Sequence, residues 1–327
     1  MRIAMVGDVM LGRLVNEALR QRVPEYPWGD TLPVLSSADI RLCNLECVIS
    51  NKGKPWSETP KEFHFRSDAK NIRVLSAGGI NVVSVANNHS LDYGYEAAED
   101  MLGLLDNASI KHSGFGRSLS EAERFAALNI HQHRIGVIAF TDNEPEWEAT
   151  SDRSGILFIP TELTDERTVH FLDLVKRCRA SVDFLIVSAH WGPNWGYEPP
   201  REHVLFAHAL VESGADVVFG HSGHVFRGIE IYKHKPILYC AGDFIDDYAI
   251  DPVERNDESF VFLLEGEADK VGRIELYPTK IEMFQANLAR GAEIQRIGDK
   301  MRRLCAMFGT GLVLKKPHGY FEAIVNK

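Results

Sequence analysis

Five clusters of polar residues in this chain each follow an apolar run of the kind that forms a β-strand. They hold carboxylate, amide and imidazole groups, which bind transition metals through oxygen or nitrogen. The clusters are Gly7-Asp8, Asn44-Leu45-Glu46, Asn87-Asn88-His89, His190-Trp191-Gly192 and Gly220-His221-Ser222-Gly223-His224. A mixed donor set without thiolates suits manganese, iron or zinc. One or two such ions can activate a water molecule for hydrolysis.

Each cluster taken alone also fits an ordinary structural role. A Gly-Asp pair after a strand is usually a turn, and a single buried histidine is more often a hydrogen-bonded core residue than a ligand. Asn87-Asn88-His89 is more specific, because three polar groups follow a strongly apolar run. The occurrence of all five clusters in one chain favours a metal site over five unrelated turns.

The apolar runs that precede the clusters predict the strands that must position them. Such runs, rich in β-branched residues, predict buried strands at Arg2–Val6, Asp39–Leu45, Asn81–Ala86, Asp183–Ala189 and Asp216–Phe219. Further strands are predicted at Phe125–Ile130, Arg134–Phe140, Val225–Tyr232, Pro236–Ala241, Ser259–Leu264 and Arg273–Phe284. Helical spacing predicts helices at Tyr95–Asn107, Glu162–Arg179, Arg201–Ser213 and Ala289–Phe308.

These alternating elements predict an α/β fold with a two-sheet core flanked by helices. In layered α/β folds the carboxyl ends of the strands open onto a shared crevice, so the five clusters can converge there. Two polar loops, Pro55–Ser67 and Asp142–Gly155, either shape the mouth of a substrate site or are solvated surface insertions.

Composition limits the classes of partner and compartment. The 327 residues carry a net charge of −10, from 36 basic and 46 acidic residues, which argues against a nucleic-acid partner. No stretch approaches the roughly 20 apolar residues of a membrane span, and the first apolar run is interrupted by Gly7 and Asp8. The five cysteines form no Cys-x-x-Cys pair. We therefore expect a cytoplasmic protein without a membrane partner.

Six segments of the chain resemble the CapA family, the poly-γ-glutamate capsule-synthesis proteins of the calcineurin-like metallophosphoesterase superfamily. They are GDVMLGR at 7–13, NLECVIS at 44–50, VANNHSLDYG at 85–94, AHWG at 189–192, GHSGHVFRGIEIY at 220–232 and ILYCAGDF at 237–244. They run in the family's order. The resemblance implies a four-layer αββα sandwich of the metallophosphoesterase type, with a dinuclear site at the strand ends.

The resemblance also implies roles for individual residues. The implied metal ligands are Asp8, Glu46, Asn88, His190, His221 and His224. Glu46 stands where the superfamily has a metal-bridging aspartate, and His89 resembles the histidine that assists catalysis. Asn44 and Asp243 are expected to orient ligands, although Asp243 equally fits a turn cap.

Two positions depart from the superfamily's pattern. Met10 stands where a histidine ligand is usual, so one of the two metals is expected to bind weakly. Ser222 and Gly223 separate His221 from His224, where one residue is common. This spacing makes the assignment of His221 less secure than that of His224.

The leading functional hypothesis is a phosphoesterase that uses a metal-activated water. His89 would protonate the leaving oxygen or stabilise the charge on it. Arg13 would act beside it by gripping the phosphate, and it equally fits a solvated surface residue. Arg227 and Trp191 are candidate substrate contacts. The alternatives are an amide or peptide hydrolase of the γ-glutamyl type and a non-catalytic accessory protein of polyglutamate or capsule synthesis. A small or peptide-like anionic substrate suits the first two hypotheses.

The resemblance ends near residue 247, and we predict that the chain has two parts. Residues 1–288 are predicted to form the catalytic domain, and residues 289–327 a C-terminal helical extension. The apolar face of that helix either packs on the domain or forms a homodimer contact.

Overall fold

The computed structural model describes residues 1–267 and 270–325. The helices are α1 (Arg13–Ala18), α2 (Leu32–Ser36), α3 (Ile72–Ala77), α4 (Gly94–Asn107), α5 (Leu119–Ala122), α6 (Glu166–Arg179), α7 (Arg201–Glu212) and α8 (Ala292–Ala306). Short 3-10 segments occur at Tyr26–Thr31, Ala69–Asn71 and Pro145–Trp147. The four predicted helices are confirmed, with ends that differ by a few residues.

The strands follow the predicted runs closely and add several short ones. They are β1 (Arg2–Val9), β2 (Ile40–Leu45), β3 (Val48–Ile49), β4 (Arg66–Ser67), β5 (Val82–Ser84), β6 (Lys111–Ser113), β7 (Phe115–Gly116), β8 (Ala126–Ile130), β9 (His133–Thr141), β10 (Gly155–Ile156), β11 (Phe184–His190), β12 (Val217–His221), β13 (Ile229–Tyr232), β14 (Lys235–Leu238), β15 (Asp243–Ile245), β16 (Glu258–Glu267), β17 (Lys270–Glu282), β18 (Gln285–Leu288), β19 (Val313–Lys315) and β20 (Tyr320–Ile324).

Most of the strands form two large sheets. The ten-stranded sheet has the order β19-β20-β17-β16-β1-β2-β5-β6, with β15 also paired to β1 and β18 to β17. The six-stranded sheet has the order β13-β14-β12-β11-β9-β8. Within them, β1, β2, β5 and β6 are parallel neighbours, as are β9, β11, β12 and β14. Each sheet therefore gathers several carboxyl strand ends at one edge.

Alternation along the strands divides the core into layers. In β1, Ile3 and Met5 belong to the cluster between the sheets, which also contains Ile186 and Phe219 from the other sheet. Neighbouring side chains of a strand point to opposite faces, so Ala4 and Val6 join a second cluster that includes residues of α3 and α4. A third cluster joins α6 and α7 to the six-stranded sheet. The sheets face each other and helices cover their outer faces, which confirms the predicted α/β fold.

The C-terminal residues extend this core. Helix α8 places Ile297, Met301 and Leu304 in the cluster between the sheets. Strands β19 and β20 then lengthen the ten-stranded sheet through the pairing of β20 with β17. Among the described residues, no helix has the length and apolar character required to cross a membrane. All five cysteines are buried free thiols.

Candidate metal centre

The carboxyl ends of four strands bring the predicted ligands together. Asp8 lies near the end of β1, and Glu46 directly follows β2. In the other sheet, His190 and His221 end β11 and β12 and are paired in register. Asp8 is in register with Asp243 of β15 on its other side. The two sheet edges thus meet over one buried polar site.

Two overlapping groups of side chains have the spacing of metal ligands. One group is Asp8, His190 and His221, and the other is Asp8, Glu46 and Asp243. Within each group the candidate ligand atoms lie within 4.8 Å of one another, and every member is buried. Asp8 is common to both groups, whereas the resemblance assigned the bridging position to Glu46. Asp243, expected only to orient a ligand or cap a turn, stands among the candidate ligands.

Three amide side chains, from two of the polar clusters, contact these groups. Asn44 Nδ2 donates to Asp8 Oδ1 at 2.8 Å, and Asn87 Nδ2 donates to Asn44 Oδ1 at 3.0 Å. Asn88 Oδ1 lies 2.9 Å from His190 Nε2. The structure therefore places Asn88 at the centre, and it places Asn44 where an orienting residue is expected.

The charges at the centre are arranged to receive a cation. Burial and the nearby Asp243 carboxylate raise the pKa of Asp8 to about 7. Burial and the Asp8 carboxylate likewise raise the pKa of Glu46. Burial lowers the pKa of His190, and it lowers that of His221 to about 3. Besides burial, the raised carboxylate pKa values reflect a repulsion that a bound cation would relieve, and the two imidazoles are already in the neutral form that binds a metal. This donor set fits manganese, iron or zinc.

His224 differs from the other two histidines. Its Nδ1 lies 3.1 Å from both carboxylate oxygens of Asp243. Burial opposes its positive charge, but the Asp243 carboxylate raises the pKa of His224 to about 9. In this arrangement His224 is a charged partner of Asp243 at the edge of the two ligand groups. Its assignment as a metal ligand stays a prediction.

His89 lies beside the centre in a tightly held position. Its Nδ1 is 2.6 Å from Asp92 Oδ2, and its ring stacks on Phe65 with centroids 3.9 Å apart. Asp92 is fully buried and also accepts a 2.6 Å bond from the backbone N–H of Phe65. Sequence reasoning did not single out Asp92. The His-x-x-Asp spacing directly after the Asn-Asn pair is the sequence feature that could have indicated it.

A cleft of about 580 Å³ opens onto the centre. Both predicted polar loops contribute to its mouth, because Lys61 and Glu144 line it and form an ion pair at 2.9 Å. Lys61 Nζ also lies 3.5 Å from Asp92 Oδ1. The remaining lining residues that matter for chemistry are Arg13, Glu46, Asn88, His89, Trp195, His224 and Tyr248. The loops thus shape the entrance to the site.

The structure does not bring every candidate residue to the cleft. Arg13 lines it and pairs with Asp247 at 3.2 Å. Arg227 is buried and donates to backbone carbonyls of residues 193 and 196, which holds that loop in place. Trp191 is buried in the outer core cluster beneath α6 and α7. Met10 lies in the apolar core, with Gly12 N donating to its sulfur.

Gly7 sets the distance between two of the candidate ligands, and its replacement provides a test. A Cβ at Gly7 would lie 1.8 Å from the carbonyl oxygen of Gly242, the same oxygen that accepts the Asp8 N–H at 3.0 Å. We expect Gly7→Ala to push β1 away from Asp243, to destabilise the fold by roughly 1–3 kcal/mol and to weaken Mn²⁺ binding. Urea unfolding and calorimetric titration with Mn²⁺ would measure both effects.

Gly103→Ala is the matched control for that substitution. Gly103 lies within α4, and a Cβ there would meet nothing within 4 Å. Alanine in a helix interior is favoured over glycine by roughly 0.5–1 kcal/mol, so this variant should gain stability and keep its Mn²⁺ affinity. Unchanged stability and affinity in Gly7→Ala would contradict the close approach of β1 to the Gly242 turn.

Comparison with known proteins places the chain among capsule-related sequences. The model of the family described as bacterial capsule synthesis protein PGA_cap matches residues 2–248. The probable polyglutamine synthesis accessory protein of Mycobacterium tuberculosis is 32% identical over 97% of this chain and 86% of that protein. The PGA biosynthesis protein CapA of Bacillus subtilis strain 168 is 27% identical over 84% of this chain and 70% of its own length.

The comparison with solved structures concerns the fold alone. A hypothetical protein from Thermus thermophilus matches with a TM-score of 0.51 and 16% identity. The match covers 86% of this chain and 100% of that one.

Proposed function

The chain belongs to the bacterial capsule synthesis protein PGA_cap family, and we propose that it is a metal-dependent hydrolase that cleaves phosphoesters. The proposal rests on one observation: Asp8 belongs to both buried ligand groups, and these lie beneath an open cleft. In the proposal, the two facing sheets with outer helices are the αββα sandwich of the metallophosphoesterase type. The family itself is linked to capsule polyglutamate synthesis.

Different residues would hold the two metal ions of such a reaction. Asp8, Glu46 and Asp243 would hold one ion, and Asp8, His190 and His221 the other, with Asn88 beside His190. When bound, two such ions supply a nucleophile from water at neutral pH and neutralise charge on the phosphoryl oxygens.

The other groups of the cleft act on substrate and leaving group. His89 donates a proton to the leaving oxygen, and Asp92 fixes the ring through Nδ1. Phe65 covers one face of that ring and limits the access of water. Arg13 and Lys61 line the wall of the cleft, where they pair with Asp247 and Glu144. In the proposal, an anionic substrate would accept hydrogen bonds from these two side chains.

A second candidate is hydrolysis of an amide bond in a γ-glutamyl-type substrate. It is favoured by the relatives' names, which concern polyglutamine and PGA synthesis. The same ligand groups can polarise a carbonyl oxygen as well as a phosphoryl oxygen. A catalytically silent accessory role is the third hypothesis, and the relative from Mycobacterium tuberculosis carries the word accessory in its name.

A substrate panel separates these functions. We expect the Mn²⁺-loaded protein to release p-nitrophenolate from p-nitrophenyl phosphate or from its bis ester, and we expect a chelator to stop the reaction. Release of an amine from γ-glutamyl peptides, with no action on either phosphate, would establish the second candidate instead. Bound metal with no turnover of any substrate would support the accessory role.

A further inference from the structure

Two large aromatic side chains in the cleft above the metal centre are exposed to solvent. Phe63 is 52% exposed and Trp195 is 45% exposed, and both line the cleft. The other four tryptophans of the chain are buried. Exposed apolar groups that lie together in a groove mark ligand-binding sites, whereas singly scattered ones are normal on any surface. The two exposed rings are therefore candidates for contact with the substrate.

These two rings end a continuous row of ring contacts along the cleft. Phe63 stacks on Phe65 with centroids 6.4 Å apart, and the Phe65 centroid lies 5.7 Å from that of Tyr248. The ring of Tyr248 meets that of His224 at 5.0 Å, and His224 meets Trp195 at 5.5 Å. All five side chains line the cleft. We call this row the aromatic wall.

The aromatic wall borders the groups that would act on the leaving oxygen. The Phe65 ring stacks on His89 with centroids 3.9 Å apart, and in the proposed reaction His89 donates a proton to that oxygen. Tyr248 Oη donates to Glu46 Oε2 at 3.4 Å, so the wall also reaches the candidate metal ligands. A group attached to the leaving oxygen would therefore leave the centre along the aromatic wall.

Hydrogen bonds hold the two loops that carry the exposed rings. Arg227 donates to the backbone carbonyls of residues 193 and 196, on either side of Trp195. The backbone N–H of Phe65, two residues after Phe63, donates to the buried Asp92 carboxylate at 2.6 Å. Rings that are already in position lose little freedom when a ligand packs against them. The two rings thus offer preformed flat faces to a ligand.

We propose that the leaving group of the phosphoester substrate carries a planar ring, and that this ring packs against Phe63 and Trp195. This inference rests on the proposed phosphoesterase function and adds a substrate class to it. Aromatic rings attract one another in offset-stacked and edge-to-face arrangements, beyond the area that they bury. A cleft of about 580 Å³ has the size of a small-molecule site. The planar ring is that of an aryl group or of a nucleobase.

Two esters that release the same type of alcohol isolate the contribution of the ring. Phenethyl phosphate and cyclohexylethyl phosphate both release a primary alcohol, but only the first carries a planar ring. We expect the Mn²⁺-loaded wild type to hydrolyse the phenethyl ester with a kcat/KM roughly three- to tenfold higher. Phe63→Ala and Trp195→Ala should each reduce this ratio. Trp195→Phe, which keeps an aromatic ring, should retain most of it.

Leu163→Ala is the matched control. Leu163 lies before α6, is 40% exposed and does not line the cleft, so its loss should leave the ratio unchanged. Thermal melts would verify that each variant is folded. A ratio near one in the wild type, or an unchanged ratio in both Phe63→Ala and Trp195→Ala, would overturn the aromatic wall as a substrate site.

A second pair of esters distinguishes the two sources of a planar ring. Adenosine monophosphate and ribose monophosphate, both esterified at the primary hydroxyl, differ in the nucleobase. A larger preference within this pair than within the phenethyl pair would assign the ring to a nucleobase. A smaller preference would assign it to an aryl group.

Binding without turnover separates this inference from the phosphoesterase function. Phenethylphosphonate has no ester bond to cleave, and acrylamide quenching of fluorescence reports mainly on Trp195, since the other tryptophans are buried. We expect phenethylphosphonate to protect Trp195 from acrylamide better than cyclohexylethylphosphonate does. Such protection with no turnover of any ester would overturn the proposed phosphoesterase and leave the ring site standing. Equal protection by the two phosphonates would overturn the ring site.

Discussion

Asp8→Asn is expected to abolish metal-dependent turnover and to remove the thermal stabilisation given by Mn²⁺. Asp8 is common to both candidate ligand groups, so its loss weakens two cation positions at once. Loss of even the residues that orient ligands costs about 10–100-fold in affinity or activity. We therefore expect a fall of at least about 100-fold in kcat/KM on p-nitrophenyl phosphate esters.

The same variant separates metal binding from folding. Asparagine has nearly the shape of aspartate, and its oxygen can still accept from Asn44 Nδ2, now 2.8 Å from Asp8 Oδ1. The variant should therefore stay folded. An ion at 100 times its dissociation constant stabilises a folded protein by about 2.7 kcal/mol, so Mn²⁺ should raise the melting temperature of the wild type but not of Asp8→Asn.

Asp173→Asn is the matched control for this experiment. Asp173 lies on the exposed face of α6, where it pairs with Lys176. This substitution changes the same chemical group without touching the centre, so turnover and the response to Mn²⁺ should persist. His190→Ala should behave like Asp8→Asn. Turnover near the wild-type level in both centre variants would overturn the proposed metal site.

The strands that carry the site could be predicted because each one is encoded in a short, continuous segment of the sequence. Apolar runs and alternation predict β1, β2, β11 and β12 with ends that differ by only a few residues. The polar clusters then follow the strand ends, and parallel pairing brings such ends to one edge. Because Asp8 lies in one sheet and His190 and His221 in the other, their convergence also needs the two sheets to face each other, which the predicted two-sheet core supplies.

The role of Asp243 could not be predicted in the same way. It begins β15, which has only three residues and pairs with β1 so that Asp243 lies beside Asp8. A strand this short has no periodicity to detect. Only the tertiary pairing distinguishes a ligand position from the turn cap that was also expected there.

Alternation along a strand explains why the structure places one candidate substrate contact away from the cleft. Trp191 directly follows His190, and adjacency in sequence suggested a place at the site. Consecutive residues of an extended chain point to opposite faces, so His190 faces the centre while Trp191 enters the outer core. In contrast, Lys61 reaches Asp92 from an irregular loop, and such loop contacts leave no pattern in the sequence.

His89→Gln is expected to slow the cleavage of esters with poor leaving groups far more than that of esters with good ones. General acid catalysis contributes typically about 10²–10⁴-fold. A phenolate leaving group, with a conjugate-acid pKa of about 10, needs that proton, whereas p-nitrophenolate is stable without it. We therefore expect kcat to fall about 100-fold or more on phenyl phosphate and much less on p-nitrophenyl phosphate.

Asp92→Asn tests whether the buried carboxylate acts through His89. It removes the charge that faces His89 Nδ1 at 2.6 Å but retains an oxygen that can accept from the ring and from the backbone N–H of Phe65. The same dependence on the leaving group should appear, with a smaller loss than in His89→Gln. His170→Gln, on the exposed face of α6, should leave both rates unchanged. Equal losses on both esters in His89→Gln would mean that His89 binds the phosphoryl group instead of protonating the leaving oxygen.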